Sequence, residues 1–131
     1  QWYELSYGQD DVTKDARNLI KKIFQAPEAT VFIIGTGNAA NALALPTLAN
    51  PWDKIFCTPI AHLHKHECNT PELFSGGCKL TLAEGEDKDY SGQPFQKIQA
   101  QERRGVHGPQ RGPVSITQLN EKDTAYSLQE L

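Results

Sequence analysis

The chain has 131 residues, enough for one domain with a real hydrophobic core. Its 13 basic and 16 acidic side chains leave a net charge of -3, which gives no electrostatic footprint for nucleic acid or a membrane surface. No apolar run approaches the ~18 residues that span a bilayer, and no signal peptide is visible. Three cysteines, Cys57, Cys68 and Cys78, are too few and odd in number for a disulfide scaffold, so a cytoplasmic location is expected.

In chain order, Asp10 or Asp11 is the expected cap of a first helix. Val12, Ala16, Leu19, Ile20, Ile23 and Phe24 fall on one face of it. Lys21 and Lys22 suit its C-terminal dipole end, and Pro27 closes the segment. Val31 to Ile34 is an unbroken β-branched and aromatic run, expected as a strand buried on both faces. Gly35 and Gly37 are expected to make a tight turn in conformations that side chains forbid. Asn38 is the expected cap of a small-residue helix through Ala39, Ala40, Ala42 and Leu43, which Pro46 stops or kinks after Leu45.

Lys54 to Thr58 reads as a second strand, ended by Pro59, and Ala61 to Cys68 leads into a short helix. Cys78 to Leu82 alternates as a third strand. Residues 84–94 read as an exposed loop, 95–100 as a short helix and 102–112 as loop, with a fourth strand over Pro113 to Gln118. This alternation predicts an α/β fold with a mostly parallel sheet and helices on both faces. The chain contains no methionine, and Ser127-Leu128-Gln129-Glu130 matches the capping box S-x-x-E just before Leu131. The expectation is a chain truncated at both ends.

A strand, a glycine turn and a helix start form a phosphate site, because first-turn amides lack partners and lie at the positive end of the dipole. Two other chemistries compete for the same region. Gly35-Thr36-Gly37-Asn38-Ala39-Ala40 matches the dinucleotide pattern G-x-G-x-x-G/A. The ribose-binding acid should then end the second strand, where Cys57-Thr58-Pro59 stands instead, with Asp53 at the opposite end. His62, His64, His66, Glu67 and Cys68 form a dense metal-ligand cluster. On an extended strand the three histidines would share a face, on a helix only His62 and His66 would, and no distant set completes a tetrahedral zinc site. No metal is therefore assigned, and His64, His66 and His107 are left without a role.

Several ordered blocks carry a resemblance. Gly35 to Leu45, Ala61-His62, Glu67-Cys68, Pro71-Glu72-Leu73-Phe74-Ser75-Gly76-Gly77, Val114 to Gln118, and Tyr126 to Leu131 together resemble the threonine aldolase and aromatic amino acid β-eliminating lyase family. The resemblance implies pyridoxal 5'-phosphate as cofactor and the fold type I architecture, with residues 1–131 as the N-terminal part of the large domain. It implies retro-aldol cleavage of a threonine-like β-hydroxy-α-amino acid to glycine and an aldehyde. Gly37, Asn38 and Ala39 would cradle the cofactor phosphate. His62 would stack on the pyridine ring and help take the substrate hydroxyl proton, and Glu67 would orient a water or that hydroxyl. Glu121 falls near a further site position. A homodimer or homotetramer acting on a small amino acid is implied, with no nucleic acid or membrane partner.

Three places depart from the family pattern. Pro46 stands where alanine is common, His64-Lys65-His66 replaces the usual run, and Asn120-Glu121-Lys122-Asp123 replaces a segment richer in glycine and threonine. No lysine of the chain sits in the context of the family's Schiff-base lysine, so the 131-residue chain is expected to be inactive alone. The alternative reading is a non-catalytic α/β binding or assembly module, a degenerate or truncated relative.

Overall fold

The computed structural model describes residues 3–83, 105–119 and 121–128. The chain divides into two compact units, Gln1–Ile34 and Gly35–Leu131.

In the first unit, helix α1 spans Asp11–Ile23. Asp10 is its cap: the side chain accepts from the Thr13 amide at 2.8 Å, and that hydrogen bond chiefly holds the carboxyl below its usual range. The helix ends before Pro27 is reached. Gln25 adopts a left-handed φ of 51°. The Gln25 and Ala26 amides turn back to the Lys22 and Lys21 carbonyls, a Schellman closure that satisfies the last turn. The apolar face predicted from spacing is present, yet α1 has no buried residue. Val31 to Ile34 is not a strand, and Phe32 is 76% exposed. The expected doubly buried strand is thus corrected. A run of apolar residues becomes a strand only when a neighbouring backbone takes its hydrogen bonds.

In the second unit, α2 spans Gly37–Ala44 and passes into a 3-10 turn at Leu45–Thr47, with Pro46 inside that turn. Pro46 shortens the helix as expected. The strands are β1 (Asp53–Cys57), β2 (Lys79–Leu82) and β3 (Gln110–Val114). Between β1 and β2 lie two short helices, α3 (His62–Lys65) and α4 (Thr70–Phe74). The sheet order is β2-β1-β3, and both pairings are parallel. The α/β class is as the alternation predicted.

Central position explains the burial of β1. Its register runs Lys54↔Lys79 to Cys57↔Leu82 on one side and Asp53↔Gln110 to Phe56↔Val114 on the other. Ile55, Phe56 and Cys57 are consequently almost fully buried. Ile55 and Cys57 pack with Leu45, Ala61, Leu63 and Cys78, and Phe56 packs on the other side with Ala83. Asp53 closes the turn into β1 by accepting from the Asn50 amide at 2.7 Å.

The last strand lies earlier than sequence spacing placed it, over Gln110–Val114 rather than 113–118. Its position is set by backbone pairing to β1: the Gln110 amide donates to Trp52 and the Ser115 amide to Phe56. Gly112 sits at the irregularity in this ladder, where a Cβ would come within 2.5 Å of the Lys54 carbonyl oxygen. The expected loop over 102–112 therefore gives way, from Gly105, to a 3-10 turn and this strand. The loop at 84–94, the helix at 95–100 and the end of the S-x-x-E motif lie outside the described residues.

Candidate active site

Helix α2 starts two positions earlier than the sequence indicated. Thr36, not Asn38, is the cap: it has extended backbone, and its Oγ1 accepts from the Ala39 amide at 3.2 Å. Gly37, Asn38 and Ala39 therefore form the first helical turn. Helix geometry leaves the Gly37 and Asn38 amides without an intrahelical acceptor, while the Ala39 amide is already engaged by Thr36. Neither Gly35 nor Gly37 has a positive φ, which corrects the expected tight turn. A Cβ added at either would meet nothing within 4 Å, so the space beside this helix start is open.

The second part of the site lies just past the carboxyl end of β1, where ligands bind in open α/β sheets. Ala61 leads directly into α3, so His62 takes its first position. The chain then turns sharply through Cys68 and Asn69, both left-handed at φ 49° and 57°. Two consecutive non-glycine residues in that region carry backbone strain. The turn is held by the Thr70 amide, which donates to the Glu67 carbonyl at 2.9 Å, and by the Thr70 hydroxyl on the same oxygen.

Glu67 is the centre of the arrangement. It is 1% exposed, and its Oε1 accepts from Asn41 Nδ2 at 2.7 Å and from His62 Nδ1 at 2.9 Å. Its Oε2 is buried with no partner among the described residues. A buried carboxylate oxygen without a donor is costly unless a further group supplies one. The His62 side chain remains 42% exposed. With the Nδ1 proton directed at Glu67, Nε2 is the nitrogen left as an acceptor.

His62 and His66 do share a side, with ring centroids 5.5 Å apart. His64 is exposed, and no group of three or more metal-ligating side chains occurs among the described residues. Glu121 lies exposed in the turn between Leu119 and Ala125, which form an isolated antiparallel bridge. The residue that sequence reasoning passed over is Asn41. It stood inside the glycine block, one helical turn beyond Gly37 and so on the same face, which was the available signal.

A helix start with open amides and a histidine held by a buried carboxylate occur in one α/β unit with a parallel sheet, a fold whose ligands bind past the carboxyl ends of the strands. The chain belongs to the beta-eliminating lyase family, whose profile matches residues 4–131. It is 35% identical over 129 residues to the low specificity L-threonine aldolase of Pseudomonas aeruginosa, covering 98% of this chain and 37% of that protein. A second low specificity L-threonine aldolase, from another Pseudomonas strain, is 34% identical over the same share of each chain. The solved structure of Leishmania major threonine aldolase is similar at a TM-score of 0.84 and 27% identity, over 98% of this chain and 36% of that one. The chain thus spans 37% of the length of the curated relatives it matches.

Proposed function

We propose that the protein carrying this chain is a pyridoxal 5'-phosphate-dependent lyase of amino acid metabolism. Its substrate is a threonine-like β-hydroxy-α-amino acid, cleaved to glycine and an aldehyde. This chain forms the N-terminal part of the large domain. The observation that carries the reading is the Asn41–Glu67–His62 hydrogen-bond chain, which joins the helix with the open first-turn amides to a half-buried histidine. Family membership and the kinship to threonine aldolases support it.

The residues present fit the cofactor. The unengaged Gly37 and Asn38 amides and the open space beside Gly35 and Gly37 suit a phosphate. Ala39 contributes a small side chain rather than a free amide, since Thr36 already accepts from it. When bound, the cofactor's ring takes up the electron pair left on Cα as the Cα–Cβ bond breaks. His62 would lie against the ring and, through Nε2, would take the proton of the substrate hydroxyl. Glu67 fixes the tautomer that leaves Nε2 available, and its unpaired Oε2 accepts from a water or the substrate hydroxyl. The active unit is a cytoplasmic homodimer or homotetramer, and the Schiff-base lysine comes from chain outside these residues.

The intact protein with pyridoxal phosphate and L-threonine is expected to release glycine and acetaldehyde. Replacing His62 by alanine should lower kcat by about 10²-fold or more. Failure to cleave threonine or its Cβ epimer, together with no visible absorbance from bound cofactor, would instead identify a non-catalytic α/β module.

A further inference from the structure

We infer that Asn41 is a positioning residue that sets the orientation of His62 through Glu67. The two donors on Glu67 Oε1 come from different elements: Asn41 from α2 and His62 from α3. Because Asn41 lies in the helix whose first turn forms the phosphate cradle, the cradle and the histidine are tied by one carboxylate. Asn41 can donate but cannot take a proton, so it holds the buried carboxylate without competing for the His62 proton. The idea rests on the lyase reading only for its kinetic consequence, since the hydrogen bonds stand without cofactor or substrate.

Among the described residues, the titratable groups on the neighbouring elements are few. Helix α2 carries none; α3 carries His64 and Lys65, both exposed; α4 carries Glu72; and the His66 ring lies 5.5 Å from that of His62. Asn41→Asp is close to isosteric but sets a second carboxylate 2.7 Å from the first, measured on the present donor. Two carboxylates that close share a proton, so N41D keeps an O–H donor on Glu67, whereas Asn41→Ser loses the donor.

Acylation by diethyl pyrocarbonate, which attacks neutral imidazole, reads the setting of the ring when each histidine peptide is followed by mass spectrometry at one fixed pH. The intact protein is used without cofactor, and exposed His107 serves as internal reference. In N41S the acylation rate of His62 relative to His107 should change by about threefold or more, because Glu67 is no longer held from α2, while N41D should stay close to the parent protein. A folded N41S with the parent's rate ratio overturns the inference, and should N41S not fold, an unchanged ratio in Asn41→Ala does so. With cofactor and threonine, N41S should lose kcat about tenfold with little change in KM, as expected when a proton-transfer group is misplaced. A changed acylation ratio in N41S of a protein that cleaves no amino acid would sink the lyase reading and leave the positioning role standing.

Discussion

Two apolar runs of similar composition meet opposite fates. Val31-Phe32-Ile33-Ile34 has no strand structure and leaves Phe32 76% exposed. Ile55-Phe56-Cys57 forms the middle of a parallel sheet, and Phe56 is 0% exposed. Propensity does not separate them, because both are rich in residues that favour strands. What separates them is partners. β1 has a backbone ladder on each side, and side chains from Leu45, Ala61, Leu63 and Cys78 fill the space against it. Strand formation is a property of a pair, and burial follows from the pairing.

The largest test of this contrast is a matched truncation. Phe56→Ala should cost about 3–5 kcal/mol in denaturant unfolding, because it opens a cavity in a closed core. Phe32→Ala should stay within about 0.5 kcal/mol, the usual range for an exposed position. A large loss at Phe32 would show that its run is covered in solution and would erase the distinction.

Glycines beside the two runs give the next test. Gly112→Ala drives a Cβ to 2.5 Å from the Lys54 carbonyl oxygen and should destabilise by about 1–3 kcal/mol. Gly35→Ala meets open space at an ordinary φ and should be nearly neutral in thermal melts. Thr36→Ala removes the cap of α2 and should cost about 1 kcal/mol, with faster amide exchange confined to the first turn of α2.

The smallest effect is read from the thiols. Burial, with a lesser contribution from Glu72, pushes the Cys57 thiol up from 9.0 to about 11. Its folded value lies above its unfolded one, so its contribution to stability is complete below about 9 and is lost as pH rises through 11. Iodoacetamide at pH 8 should modify exposed Cys68 first and leave Cys57 and Cys78 unlabelled until the protein unfolds. Early labelling of Cys57 would mean that β1 opens locally.

Local chemistry was legible wherever one segment contained all the atoms involved. The capping role of Asp10, the shortening of α2 by Pro46 and the pattern of β1 and β2 each depend on residues close in sequence. The blocks around Gly35, His62 and Glu67 likewise pointed to a phosphate and a histidine. Thr36 displaced Asn38 as the cap because several small polar residues in a row can each close a helix, and only the backbone conformation of Thr36 selects among them. The last strand moved to Gln110–Val114 because its register is set by hydrogen bonds to Trp52 and Phe56, residues more than fifty positions earlier.

By itself, then, the sequence determined the α/β alternation, the open helix start and the family to which the chain belongs. Tertiary structure alone decided which apolar run became the central strand and which stayed exposed. It also brought Asn41, 26 positions from Glu67, onto the same carboxylate oxygen as His62. The physical reason is common to both: ladder partners and buried hydrogen bonds are satisfied across the fold, so no local pattern records them.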